Sequence, residues 1–204
     1  RISSDNPYND WIGAQIRADL YGWVCSGKPD LAARLVAEDA NLSHRGDGVH
    51  GAVFVAVLGA LLMDSSPEQA LAKAKDYLPK KSGVEKAVLL GESLIANPNG
   101  GAMIRDYYSK MSPVHSLNNL AIVVWALFSN LNDYSAAIGE AVAAGLDTDC
   151  NGATVGGLWG LQSEEIPDRW LSAWQGTVGV SLAGYNEVSL DDLVDRTVAL
   201  AKRL

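Results

Sequence analysis

The chain has 204 residues, 48% of them apolar and 20% charged, the make-up of a folded globular domain, which excludes a disordered chain. Acidic side chains number 24 against 16 basic ones, a formal net charge of −8. That balance excludes non-specific nucleic-acid binding through a basic surface, but not a phosphate-bearing small ligand held at helix N-termini.

The opening "RISSDNPYND" is polar and has no signal-peptide pattern, and Arg1 in place of methionine suggests that something upstream was removed or is missing. "WIGAQIRAD" then sets Gly13 four residues ahead of Arg17. "KPDLAARLVAEDANL" reads as a helix with Leu31, Leu35 and Leu42 on one stripe and acids opposite. "LSHRGDGVHGAVFV" places His44 just before an apolar helix, with Gly46, Gly48 and Gly51 close behind. That helix, "GVHGAVFVAVLGALLM", is apolar all round and is expected at the centre of the molecule. Its longest apolar run, Val53 to Met63, falls far short of the ~20 residues that cross a bilayer, so no membrane span is expected.

"SSPEQALAKAKDYL" follows with Ser66 as N-cap, Pro67 at the first helical position and Gln69 three residues after the cap. "SGVEKAVLLGESLIA" repeats the device with Ser82 and Glu85, and "NPNGGAMIRDYY" is a glycine turn leading into a helix. "SPVHSLNNLAIVVWALF" sets His115, Asn118 and Asn119 at the head of a second helix that is apolar all round. Near the end, "GTVGVSLAGYNEV" fits either a loop with a short helix or an extended piece, and "VSLDDLVDRTVALAKRL" is a helix capped by Ser189 with Asp192. No run alternates as a strand would, and neither repeat nor linker divides the chain. One all-helical domain is the expectation. Cys25 and Cys150 are too few for a disulfide framework and form no C-x-x-C pair, which points to a reducing, cytoplasmic setting.

The stretch "GLDTDCNGATVGGLWG" stands apart. Gly152, Gly156 and Gly160 recur at one helical turn, so they share a face of a helix expected to start near Asn151. Each costs roughly 1 kcal/mol relative to alanine in a helix interior, about 3 kcal/mol together, and close approach of another helix backbone is the expected compensation. Ahead of them, Asp147 and Asp149 have two readings. Asp149 is an N-cap and Asp147 a turn former, or the pair at i and i+2 faces one hard cation, as oxygen-rich magnesium or calcium sites require. His44 and His115 are likewise either capping histidines or functional ones, and Asn118 and Asn119 either caps or buried hydrogen-bond formers. Polar groups nevertheless collect at the starts of apolar helices, where free amides and the positive helix end also point. If those ends converge, they form an anion-friendly pocket with carboxylates beside it.

These segments carry a resemblance. "GLDTDCNGATVGGLWG" resembles the C-terminal signature of the ADP-ribosylglycohydrolase family, in which a G-x-D-T-D segment opens a small-residue helix. The run from "IGAQIRADLYGWVC" through "LSHRGDGVHGAVFVA" is similar to the family's middle region, and "VHSLNNLAIVVWALF" and "IPDRWLSAWQ" with "VSLDDLVDRTVALA" to its closing part. The resemblance implies an all-α, single compact orthogonal helical bundle. It implies magnesium-dependent hydrolysis of an N- or O-glycosidic ADP-ribosyl bond, with two magnesium ions (or manganese) in the complete domain. Asp147 and Asp149 would be metal ligands, Thr148 would orient them through hydrogen bonds, His44 would contact ADP-ribose, and Gly13 would lie near its diphosphate. The alternative is a module that binds ADP-ribose or a nucleotide sugar without cutting it; a helical scaffold with no ligand is a third reading.

Two departures from the family pattern bear on this. The family's N-terminal G-D-x-x-G stretch and T-D-D-T/S motif are absent, so residues 1–204 resemble the C-terminal part of a larger catalytic domain. The general acid or base and the remaining ligands are then expected upstream of Arg1, in a segment supplied in cis or as a separate chain. Cys150 stands where many members carry a threonine ligand, and a soft thiol is a poor partner for magnesium.

Overall fold

The computed structural model describes residues 6–162, 165–172 and 174–204. After a 3₁₀ turn at Ile12–Arg17 the chain forms helices α1 (Asp19–Val24), α2 (Pro29–Ala40), α3 (Gly46–Leu62), α4 (Pro67–Ala74), α5 (Gly83–Ser93) and α6 (Gly100–Tyr107). Helices α7 (Ser116–Ser129), α8 (Tyr134–Ala143), α9 (Thr148–Trp159), α10 (Asp168–Leu171) and α11 (Leu190–Ala201) complete it. Strands β1 (Thr177–Gly179) and β2 (Glu187–Ser189) pair antiparallel, Val178 opposite Val188. The class is all-α, as expected. The ambiguous stretch resolves as this small hairpin: three-residue strands are too short to display an alternating pattern.

The two helices that are apolar all round are the centre of the molecule. From Ala52 to Leu62 of α3 every residue except Val53 is buried, and so is every residue of α7 from Ser116 to Phe128. Helices α1, α2 and α4 pack on α3, helices α5, α6, α8 and α9 pack on α7, and α3 and α7 touch each other. A helix surrounded in this way has no solvent face, which is why its sequence shows no polar stripe.

All three predicted caps form. Ser66 Oγ accepts from Gln69 N at 3.3 Å, Ser82 Oγ from Glu85 N at 3.1 Å, and Ser189 Oγ from Asp192 N at 3.3 Å. On α2 the expected leucine stripe is corrected: Ala32, Val36 and Ala40 make the buried seam, Leu31 and Leu35 flank it, and Leu42 lies past the helix end, exposed. Small side chains at the seam let α2 sit close on α3. Helix α11 is amphipathic but has no buried residue, and Val194 and Val198 stay exposed.

The glycine face of α9 also behaves differently from expectation. The helix starts at Thr148, three residues earlier than anticipated, because Asp147 O already accepts from Asn151 N at 2.9 Å. A Cβ on Gly152 or Gly156 would meet side chains of α8, Val142 and Ile138, rather than backbone, and one on Gly160 would meet only Ile166 Cδ1 at 3.9 Å. Backbone-to-backbone approach occurs elsewhere, where a Cβ on Gly22 of α1 would stand 2.9 Å from the Ala56 carbonyl oxygen and 3.1 Å from Gly59 Cα in α3.

That contrast yields a paired expectation. Gly22→Ala should cost about 1–3 kcal/mol, since backbone cannot move aside as a side-chain tip does. Gly160→Ala should be neutral or stabilising by up to about 1 kcal/mol, by narrowing the unfolded ensemble at no steric cost. Chemical denaturation of both variants checks this, and equal effects would contradict it.

Candidate functional site

The acidic turn is built by an unusual backbone. Gly145 and Leu146 are both left-handed, with φ of 79° and 66°; this suits glycine, but for leucine it stores strain. The chain then enters α9 with Asp147 in the N-cap position. Its side chain makes no capping hydrogen bond. The capping interpretation of the two acids is therefore revised, because Asp149 lies inside the first turn and the carboxylate of Asp147 caps no amide of the helix. One ligand atom each from Asp147, Asp149 and Cys150 lie within 4.8 Å of one another. Asp149 is exposed and the other two are half-buried. The positive end of α9 favours both carboxylates.

Cys150 donates weakly to Asp149 Oδ2 at 3.9 Å. Burial, hydrogen bonding to Asp147 and the two neighbouring carboxylates push its thiol up to about 12, so it is a neutral S–H at ordinary pH. The oxygens suit a hard cation, whereas a protonated thiol does not.

Asn119 holds this turn in place. Fully buried on α7, its Oδ1 accepts from Asp147 N at 3.1 Å and from Asn151 Nδ2 at 2.8 Å. Its Nδ2 donates to Pro113 O at 2.7 Å and His115 O at 2.8 Å. One amide thus ties the start of α9 to the loop that enters α7. Asn118, also buried, donates to Ser112 O at 2.9 Å and steadies the same loop. Both asparagines are buried hydrogen-bond formers.

The starts of α3 and α7 converge through Asp10, which the sequence did not single out. Its Oδ1 accepts from Asp47 N at 3.0 Å in the first turn of α3, and its carbonyl accepts from Ser116 Oγ at 2.8 Å at the head of α7. A capping role reaching across 37 residues leaves no local signal. Gly13 and His44 are brought together: a Cβ at Gly13 would stand 3.1 Å from His44 Cε1 and Nε2. His44 is buried, its Nδ1 pairs with Ser43 Oγ at 2.7 Å, and Arg17 donates to Gly13 O at 2.7 Å and Ser43 Oγ at 3.0 Å. Burial, then the Arg17 charge, lower the His44 pKa, so its imidazole is neutral at pH 7. His115 is the N-cap of α7, its Nδ1 accepting from Leu117 N at 3.2 Å. For that histidine the capping reading stands.

Beside the acidic turn an apolar trough of about 700 Å³ runs along the glycine face of α9. Thr148, Asp149, Ile138, Gly156 and Trp170 are among the residues that line it. On another side of α9, the Oδ1 of Asp19 in α1 is buried without a hydrogen-bond partner among the described residues, 3.5 Å from where a Gly157 Cβ would stand. Desolvation raises the Asp19 pKa to about 7. Nothing in "RADLYG" distinguishes this acid from an ordinary surface one. Among the described residues, no helix is long and apolar enough to cross a membrane.

Comparison with known proteins adds a family. A sequence model of the ADP-ribosylglycohydrolase family matches residues 2–203. An uncharacterized protein of Archaeoglobus fulgidus is 28% identical over 169 residues, covering 80% of this chain and 53% of the relative. The chain therefore spans about half the length of the curated relative it matches. No solved structure matches. Because the family match runs over essentially the whole chain, the expected missing segment upstream of Arg1, in cis or as a separate chain, gains no support from it.

Two measurements follow from this geometry. Asn119→Ala should cost roughly 2–4 kcal/mol, since it orphans buried donors and acceptors at once; a loss below about 1 kcal/mol in denaturant unfolding would contradict the bracing role. Asp19 holds its proton up to about pH 7 in the folded chain, whereas the unfolded chain releases it near 3.8. Between those values the folded state binds more protons, so stability falls as pH rises from about 4 to about 7. Asp19→Asn should remove that decline and be the more stable protein above pH 7, by on the order of 1–3 kcal/mol. Parallel pH–stability curves for the two proteins would contradict the assignment.

Proposed function

The chain belongs to the ADP-ribosylglycohydrolase family, and from that premise we propose that it hydrolyses an ADP-ribosyl bond, N- or O-glycosidic, with the help of a divalent cation held by Asp147 and Asp149. The observation that carries the proposal is the carboxylate of Asp147, which caps no helix amide and lies within 4.8 Å of its neighbours' ligand atoms. An N-cap aspartate that caps nothing has forgone a stabilisation of typically ~1 kcal/mol, which is intelligible if its oxygens serve another partner. Magnesium is the preferred ion, since the donors are hard oxygens, and manganese is a substitute. Bound there, it would supply Lewis-acid charge for orienting sugar hydroxyls and water.

The chain's own residues do the rest. Asn119 fixes the angle at which Asp147 leaves the turn, and Thr148 lies between the two ligands, where its hydroxyl would steady them. His44 and Gly13 form the proposed ADP-ribose contact. The neutral imidazole offers a hydrogen bond, and the missing side chain at position 13 lets the His44 ring sit against the backbone there, beside which the diphosphate would lie. The free cysteines Cys25 and Cys150 accord with a reducing, cytoplasmic setting. A module that binds ADP-ribose without cutting it remains the second reading, and a turnover assay separates the two.

Asp147→Ala should abolish both magnesium-dependent release of ADP-ribose and the rise in melting temperature on adding magnesium, while the helical circular dichroism stays unchanged. Full turnover by the variant would overturn the metal assignment. Magnesium-dependent stabilisation of the native chain without any turnover would favour the binding module.

A further inference from the structure

Helix α11 has two faces, and the fold uses one of them. Leu190, Leu193, Thr197 and Ala201 are half-buried and recur at spacings of three and four, the inner face of a helix that rests on α1. A second row, Asp191, Val194, Val198 and Lys202, is spaced by three, four and four and shares a neighbouring face. Lys202 still has helical backbone, so the row continues through it. All four side chains are exposed, Val194 by 58% and Val198 by 44%. Neither Asp191 nor Lys202 forms an ion pair among the described residues. We propose that this row is a self-association surface, on which a second copy of the chain docks its own α11 antiparallel, about a two-fold axis between Val194 and Val198.

The order of the row selects that partner. Along the helix it runs acid, valine, valine, base. An antiparallel copy runs base, valine, valine, acid, so each valine meets a valine and each charge meets its opposite. Asp191 and Lys202 stand about three helical turns apart, which keeps both charges on the side of the valines. A parallel copy would set Asp191 against Asp191 and Lys202 against Lys202, and repulsion at both ends disfavours it. The two-fold contact uses the same patch on both copies, so association closes at a dimer and does not grow into a chain.

The size of the patch sets the strength. A 12-residue helix is about 18 Å long, so this contact buries less than the roughly 1,200 Å² at which stable complexes begin. Exposed ion pairs add little affinity, and here they fix direction and register. A weak, reversible dimer follows, with a dissociation constant on the order of 10–100 μM.

Sedimentation equilibrium of the 204-residue protein, at concentrations on the order of 1–300 μM, tests this. The apparent mass should climb from 21.6 kDa toward twice that value. Asp191→Lys makes the row basic at both ends and Lys202→Asp makes it acidic at both ends. Each variant alone should self-associate roughly tenfold or more weakly, with its helical circular dichroism unchanged. Mixed in equal amounts, the two should pair with each other at native strength, because an all-basic row then meets an all-acidic one. Val194→Ser combined with Val198→Ser should stay monomeric. A native chain that is monomeric throughout overturns the proposal and leaves the row to a different protein. Single charge variants that dimerise at native affinity overturn it too, since the contact then lies on another face. So does a failure of the two weakened variants to pair with each other.

Discussion

The candidate site depends on one side chain that takes no part in chemistry. Asn119 offers its oxygen to Asp147 N and Asn151 Nδ2, at the start of α9, and its nitrogen to Pro113 O, His115 O and Asn118 Oδ1, in the loop that enters α7 and the helix's first turn. Only a carboxamide has this pairing of functions in so small a volume; leucine would fill the space and aspartate would lose the donor. Because Asn119 is fully buried, each of its bonds forms without competition from water, and each group it serves would be orphaned without it. The position of the acidic turn is thus a property of α7 as much as of α9.

Around that bracket the molecule is organised by two helices with no solvent face. Their apolar side chains supply the core, and their N-terminal ends, where amides are free, must find partners elsewhere. They find them in Asp10, which accepts from Asp47 N and Ser116 N, in His115 Nδ1, which accepts from Leu117 N, and in Asn118 Oδ1, which accepts from Asn119 N, and polar groups therefore crowd into one part of an otherwise apolar interior. The site is a by-product of burying helix ends. This also explains the mixed character of its histidines. His115 serves its own helix, whereas His44 has its ring against Gly13 and its Nδ1 on Ser43, leaving Nε2 without a capping task.

Three carboxyl groups on or beside α9, a pair and a single one, show how environment separates like residues. Asp147 and Asp149 sit at the first turn of α9, Asp149 open to solvent and Asp147 half-buried. Asp19 presses an unpartnered oxygen against the same helix further along, and burial holds it neutral up to about pH 7. The first pair suits a cation, while the second is a stability liability tied to pH. Cys150 belongs to the open turn but obeys the logic of the buried group, its thiol kept protonated first by burial and then by the carboxylates that would draw a metal to it.

What the sequence by itself determined were features acting over three or four residues. The serine caps at Ser66, Ser82 and Ser189, the apolar helices α3 and α7, the proximity of Asp147 to Asp149 and the family resemblance were all legible there, because one helical turn brings such residues together whatever the rest of the chain does. What only the tertiary structure decided were contacts between segments far apart in the chain. Asn119 meets Asp147 across 28 residues and Ser116 meets Asp10 across 106. The seam of α2 falls on Ala32, Val36 and Ala40 because α3 lies close, and Gly152 and Gly156 of α9 face side chains of α8 rather than another backbone. No periodicity encodes these pairings. They follow from which buried polar groups are left without partners once the helices have packed, a quantity that does not exist until they have.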